Sequence, residues 1–279
     1  MPSSELSGLV GLVTGGGSGI GLALAQALAA AGVRVAVTDR DAASAEACSA
    51  CIVANGGSAI ALEFDVTSRA GWEAAVERIS AQWGPIDILC SNAGSNGCRL
   101  PLTEMPVDYM RWLFEVNVFG AVHGVQLTVP GMVQRGQGFV LLTGSMAGLS
   151  AGPTGADYCG SKHALLAIAE ALRAEVNDAG VRVAYLCPAA VPSNLSQSTL
   201  NNLDPAIAAM MPAGIEAGEA AKARAIAGSG GYVSAGHVAN LALAALFRNQ
   251  FLVPTHPAAG AGVRARYEQF ERARAELEP

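Results

Sequence analysis

Short runs rich in Val, Ile and Leu recur along the chain, and inside each run the apolar residues are continuous rather than alternating with polar ones. A strand with one solvated face alternates, whereas a strand covered on both faces does not, so the runs predict a parallel sheet sandwiched between helices. They fall at 9–14 (LVGLVT), 33–38 (VRVAVT), 58–64 (SAIALEF), 86–91 (IDILCS), 138–143 (GFVLLT), 181–187 (VRVAYLC) and 250–255 (QFLVPT). Longer Ala-rich stretches near 19–31, 41–54, 68–83, 107–135, 157–179 and 234–248 suit helices. Regular βα alternation implies right-handed crossovers and an α/β, doubly wound sheet of seven strands with helices on both faces.

The rhythm breaks at 192–233, where Pro, Gly, Asn and paired Met residues crowd together. A long irregular insertion in such a fold reads as a lid over an active site, the alternative being a surface loop. No repeat or interdomain linker interrupts the chain, so residues 1–279 read as one domain carrying that lid and a C-terminal helical extension at 258–279.

Composition narrows the partners. Hydrophobic residues make up 51% and charged residues 14%, enough for a sizeable core. With 17 basic and 23 acidic residues the net charge is −6, and no basic run would track a phosphate backbone, which argues against nucleic acid. The N-terminus lacks a basic segment before an apolar run, and no stretch reaches the ~18 uncharged apolar residues of a membrane span. The expectation is a soluble, cytoplasmic protein without membrane contact. Six scattered cysteines then read as free, mostly buried thiols. Cys48 and Cys51 form a lone C-x-x-C with no second pair or nearby His, so no metal site is expected.

The first strand runs into LVTGGGSGIGLALAQALA. Gly15, Gly19 and Gly21 lie between strand and helix, where backbone can turn tightly and approach a pyrophosphate while the helix N-terminus offers free N–H groups. The second strand ends at Asp39. An acid there can accept both hydroxyls of an adenosine ribose and repel a 2′-phosphate, which points to NAD(H). Arg40 follows and could pair with a 2′-phosphate, leaving NADP the less favoured cofactor. The bland reading of Asp39, a cap on helix 41–54, is compatible with the ribose role.

Tyr158 and Lys162, four apart on a predicted helix, share one face, and the small residues Gly160 and Ser161 between them would leave it open to a ligand. Together with the T-G-x-x-x-G-x-G spacing (Thr14 to Gly21) and the Asn-Ala-Gly run at Asn92 to Gly94, this Tyr-x-x-x-Lys resembles the short-chain dehydrogenase/reductase family over residues 8 to about 193. The resemblance implies a Rossmann-type fold and a catalytic tetrad of Asn117, Ser145, Tyr158 and Lys162. It implies cofactor contacts at Gly15, Ser18, Gly19, Ile20, Gly21, Asp39, Arg40, Asp65, Val66, Asn92, Ala93, Gly94, Tyr158, Lys162, Pro188, Val191 and Ser193. It also implies a homodimer or homotetramer built on helices 107–135 and 157–179.

The chemistry follows from the residue types. Hydride transfer from an alcohol requires removal of the hydroxyl proton, and a phenol of ordinary pKa ~10 is a weak base near neutrality unless an ammonium favours its phenolate. Lys162 can be that ammonium and can hydrogen-bond a nicotinamide ribose. Ser145 would donate to the substrate oxygen as charge develops, and Asn117 would hold a water linking Lys162 to solvent.

The chain departs from the family pattern after the sixth strand, where PAAVPSN has Ala189 for Gly and Ser193 for Thr, and at Ser91 in place of the first Asn of N-N-A-G. A THP-containing tail replaces the usual close. These features loosely resemble members acting on bulky, aryl secondary alcohols. They fit an apolar pocket from Met146, Leu149, Val191, Leu195, Met210 and Met211. The expected function is therefore an NAD(H)-dependent oxidoreductase interconverting a hydrophobic, bulky or aryl secondary alcohol and its ketone. The alternatives are an NADPH-dependent ketone reductase and a dinucleotide sensor without turnover. A hydrolase suggested by GLSAG (148–152) is disfavoured, because Ser150 does not sit at a strand-to-helix turn.

Overall fold

The computed structural model describes residues 5–192, 195, 199, 203, 205–209, 231–257 and 260–277. Seven parallel strands run β1 (Val10–Thr14), β2 (Arg34–Asp39), β3 (Ser58–Glu63), β4 (Ile88–Ser91), β5 (Gly138–Thr143), β6 (Val181–Cys187) and β7 (Leu252–Pro254). Their order across the sheet is β3-β2-β1-β4-β5-β6-β7. The chain thus winds outward from β1 in one direction, returns, and winds outward from β4 in the other, leaving a crevice above the carboxyl ends of β1 and β4 where ligands bind in open α/β sheets.

Continuous apolarity in the strands has the expected origin. β1 and β4 are buried at every position, while the edge strands β3 and β7 are partly exposed. Successive side chains serve opposite faces: in β1, Val13 joins a core with Leu24, Leu28, Val37 and Leu246, whereas Val10 and Leu12 join a second core with Trp72, Leu142, Leu172 and Tyr185. The first core is covered by α1 (Gly19–Ala30), α2 (Ala42–Ala54) and α8 (Ala235–Phe247); the second by α3 (Arg69–Trp83), α5 (Gly120–Arg135) and α6 (Ala156–Val176).

The boundaries depart from expectation mainly at ends. The side chains of Asp41, Ser68 and Ser234 accept N–H bonds in the first turns of α2, α3 and α8, so each helix starts one residue after its cap. Asp41, not Asp39, is therefore the cap of α2. The stretch 107–135 is continuous, but α4 (Val107–Phe114) and α5 flank a π-helical turn, Glu115–Phe119. Its 29 residues are long and apolar enough by length and composition to cross a membrane, which the sequence did not suggest; 44% of its most apolar window is buried against the protein, as a core helix would be.

Within 192–233, the described residues include a short helix α7 (Pro205–Ala209). Leu203 and Ile207 pack on Cys98, Met105, Tyr109 and Leu113, and Thr199 Oγ1 accepts the Asn96 N–H at 2.9 Å. Ser193, Met210 and Met211 lie outside the described residues, as does most of the expected lid. The C-terminal extension forms α9 (Ala261–Ala275). All six cysteines are free, and only Cys51 among them is exposed. Among the described residues no cluster of His, Cys, Asp or Glu could hold a metal.

Candidate active site

A cleft of about 710 Å³ runs along the crevice, from Gly15, Ser18, Gly19 and Ile20 past Asp39 to Ser145, Tyr158 and Lys162. At the glycine turn, Gly15 and Gly19 have φ of 62° and 53°, backbone that other residues reach only with strain. A Cβ at Gly21 would overlap the Gly15 carbonyl, so only glycine lets α1 start this close to β1. Unlike α2 and α3, α1 has no side-chain cap, and no acid stands in its first turn either. Its N-terminal N–H groups and partial positive charge are left for an anion.

Asp39 faces the same end. Its Oδ2 accepts the Gly17 N–H at 3.0 Å and its Oδ1 accepts the Asp41 N–H at 3.1 Å, which orients the carboxylate and leaves lone pairs for hydroxyl donors. Arg40 Nη1 pairs with Asp65 Oδ2 at 3.5 Å, both side chains partly exposed. Asp65 is further fixed by Thr67, whose N–H and hydroxyl donate to its Oδ1 at 2.9 and 2.8 Å. Thr14 stitches the two central strands: its Oγ1 accepts the N–H groups of Asn92 (2.9 Å) and Ala93 (3.0 Å), and Asn92 Nδ2 donates to the Thr14 carbonyl at 3.1 Å. Asn92, Ala93 and Gly94 form the cleft floor beside Val66.

At the other end, α6 presents Tyr158 and Lys162. Asp157, fully buried in its first turn, accepts the N–H groups of Tyr158 and Cys98, both at 2.7 Å, locking the helix start to the loop after β4. Lys162 is 4% exposed; its Nζ donates to the Thr143 carbonyl at 2.9 Å and lies 5.8 Å from the centre of the Tyr158 ring. Ser145 Oγ accepts the Ala147 N–H at 3.1 Å, starting the short 3₁₀ turn Met146–Gly148.

Two details qualify the sequence reading. Gly160 faces Phe114 and Met110 of α4, and Ser161 Oγ accepts from Asn117 Nδ2 at 3.0 Å, so both small residues face neighbouring helical segments. Burial is the first cause acting on both titrating groups: it raises the Tyr158 pKa, against which a hydrogen bond with Ser145 works, and lowers that of Lys162 to about 8. With the protein's own groups alone, each is pushed toward its neutral form, because desolvation penalises charge.

Asn117 sits in the π-helical turn, 1% exposed. Its Oδ1 accepts the Ser95 N–H at 2.7 Å and its Nδ2 donates to the Ser95 carbonyl at 3.0 Å. The extra residue of a π turn redirects the side chain out of the helical ladder toward the loop that carries Gly94.

Val191, Leu195 and Pro188 line the cleft as expected, whereas Met146 and Leu149 pack against the core under β5 and β6. Trp112, Val116, Phe64 and Ser95 also line it and were missed. Trp112 and Val116 are four apart in the 107–135 stretch, a spacing that marks a shared face without saying which face meets the cleft. Ser150 lies beyond the 3₁₀ turn after β5 and short of α6, so no nucleophile elbow forms.

Tyr185 of β6 supports the site from below. Fully buried, it donates through its hydroxyl to the Lys162 carbonyl at 2.7 Å, and its ring fills the space left by Gly144 and Gly148 on the segment bearing Ser145. Tyr185→Phe keeps the ring and deletes one buried hydrogen bond, so chemical denaturation should show a loss of about 1 kcal/mol. Unchanged stability would mean that the bond contributes nothing.

The residues fit a dinucleotide. The glycine cradle admits backbone-close contact only where no Cβ intrudes, α1 leaves its N–H groups uncapped, and Thr143 Oγ1, buried in the cleft wall, has no partner of its own.

A family model described as short chain dehydrogenase matches residues 10–204. The chain is similar to 1-deoxy-11-beta-hydroxypentalenate dehydrogenase of Streptomyces exfoliatus, 38% identical over 148 residues, 52% of this chain and 54% of that one. The match thus spans about half that relative's length. It is also similar to 2,5-dichloro-2,5-cyclohexadiene-1,4-diol dehydrogenase of Sphingobium indicum, 34% identical over 215 residues, 76% of this chain and 85% of the other. Among solved structures, a short chain dehydrogenase/reductase from Burkholderia phymatum in complex with NAD superposes with a TM-score of 0.84 at 30% identity, covering 99% of this chain and 98% of that one.

Proposed function

Because the chain belongs to the short-chain dehydrogenase family, we propose that it is an NAD(H)-dependent oxidoreductase interconverting an apolar, bulky or aryl secondary alcohol and its ketone, with Tyr158 as the acid–base group. The observation that carries the reading is one cleft joining the glycine turn and Asp39 to Ser145, Tyr158 and Lys162. The Sphingobium and Streptomyces relatives, named as dehydrogenases of a cyclohexadiene diol and a hydroxypentalenate, support a bulky alcohol.

Gly15, Ser18, Gly19 and Ile20 would hold the pyrophosphate, Asp39 the adenosine ribose, Asn92 to Gly94 and Lys162 the second ribose, and Pro188 to Val191 the nicotinamide end. When bound, that group supplies the hydride acceptor or donor. Ser145 donates to the substrate oxygen, and Tyr158 takes the alcohol proton or returns it to the ketone oxygen. Lys162 holds its proton beside Tyr158 and orients the ribose. Asn117 holds Ser95 and Ser161 in place, with a lone pair of Oδ1 left for a water on the way to solvent. Exposed Phe119 and Val133 on the α4–α5 layer support a homodimer through that layer.

Cofactor choice rests on Asp39, whose charge opposes a 2′-phosphate, while Arg40 is engaged with Asp65. In a fluorescence titration NADH should bind at least about tenfold more tightly than NADPH, each tenfold being ~1.4 kcal/mol. Asp39→Ala should erase that margin. Tighter NADPH binding by the unaltered protein would favour the NADPH-dependent ketone reductase.

A further inference from the structure

The Thr-His-Pro run after β7 has no part in the chemistry above. Thr255 and His256 are 2% and 3% exposed. His256 Nε2 lies 3.0 Å from the Ala190 carbonyl oxygen, and Nδ1 lies 2.7 Å from Thr255 Oγ1. A carbonyl can only accept, so Nε2 carries a proton; in the neutral ring Nδ1 is then the acceptor, and the Thr255 hydroxyl donates to it. Thr255 thereby selects the tautomer that bonds Ala190.

The same Ala190 carbonyl accepts the Val233 N–H at 3.2 Å. Two residues earlier, the Pro188 carbonyl accepts the Met146 N–H at 2.9 Å. The loop is thus pinned at alternate carbonyls: one to the turn that bears Ser145, the other to segments arriving from beyond the irregular region. The side chains between and after those pins, Ala189 and Val191, line the cleft.

We propose that His256 is a positioning residue that clamps the Ala190 carbonyl and so sets the 188–191 wall, against which the nicotinamide end of the dinucleotide rests. The inference rests on the dinucleotide reading given under Proposed function. It assigns to the THP tail the job of holding this loop where Ala189 stands in place of the family's glycine.

The test compares two probes. NADH reaches the 188–191 wall, whereas ADP-ribose keeps both riboses and the pyrophosphate but lacks the nicotinamide that would rest there. His256→Leu should weaken NADH binding about tenfold, a change of ~1.4 kcal/mol, and leave ADP-ribose affinity unchanged in a calorimetric titration. His256→Gln, which can place an amide N–H near the Nε2 position, should recover most of the loss, and Thr255→Val should show part of it. Thermal melts of each variant accompany the titrations; if the Leu variant does not fold, the Gln and Val variants against the unaltered protein decide. Equal weakening of both probes, or no weakening of NADH, overturns the proposal. Failure of the unaltered protein to bind either NADH or NADPH would instead overturn the dinucleotide reading itself.

Discussion

Tyr158→Phe should all but eliminate turnover while leaving dinucleotide binding intact. The substitution keeps the ring and removes only the hydroxyl, so the packing around α6 is preserved. What disappears is the group proposed to exchange a proton with the substrate oxygen; a serine hydroxyl such as that of Ser145 is far too weak an acid to replace a phenol. General acid–base groups contribute ~10²–10⁴-fold, and kcat should fall by about 10³-fold at saturating alcohol. NADH affinity, measured by fluorescence, should not move. The unaltered protein should also show a direction to its pH dependence. Burial raises the Tyr158 pKa, so alcohol oxidation, which needs the phenolate, should accelerate with rising pH, while ketone reduction, which needs the phenol, should slow. An oxidation rate that falls as pH rises would contradict the assignment.

Lys162→Met gives the second large effect, and it has opposite signs for activity and stability. Lys162 is buried, and its pKa falls from 10.5 to about 8 because its charged form is desolvated. At pH 7 the folded protein must carry a buried ammonium at a cost of about 3 kcal/mol, one pKa unit being ~1.4 kcal/mol. The sign follows from proton counts. Between pH about 8 and 10.5 the unfolded chain binds more protons at this position than the folded one, so this residue's contribution to stability improves as pH rises through that window. Methionine fills a similar volume without charge. The variant should therefore melt at a higher temperature at pH 7 and lose its advantage as pH rises from about 8 toward 10.5. Its kcat should drop by about 10²-fold or more, since neither the cation near Tyr158 nor the ribose contact survives. A variant less stable than the parent at pH 7 would show that the Thr143 bond outweighs the desolvation cost.

The sheet was legible because its central strands are covered on both faces, which writes an unbroken apolar run into the sequence; even the short, partly exposed edge strand β7 showed as FLVP. Helix starts were misplaced by a residue where Asp41, Ser68 and Ser234 act as caps, since a cap is polar sequence that belongs to the helix energetically but not geometrically. The tight glycine turn was readable because its requirement is negative: Gly15 has positive φ and a Cβ at Gly21 would overlap backbone, and glycine in sequence records that directly. That Tyr158 and Lys162 both line the cleft was readable because helical spacing converts sequence distance into a shared face.

Other features had no local record. The π turn at Glu115–Phe119 depends on the tertiary demand that Asn117 reach Ser95, and nothing in EVNVF distinguishes it from ordinary helix. Gly160 looked like an opening for a ligand because sequence does not say that it faces Phe114 and Met110 of α4. Met146 and Leu149 were expected in the pocket on apolarity alone, a property that core and pocket share; both are half-buried and pack against the core, while Trp112 and Val116 line the cleft.

The most direct test of the account is absorbance at 340 nm with purified protein, NAD⁺ and a panel of secondary alcohols from short aliphatic to bulky aryl. The account predicts NADH formation with the bulky members, faster than with the short ones, and none above background when Tyr158→Phe is substituted. NADH binding without turnover of any alcohol in the panel, or turnover that survives in Tyr158→Phe, would contradict it.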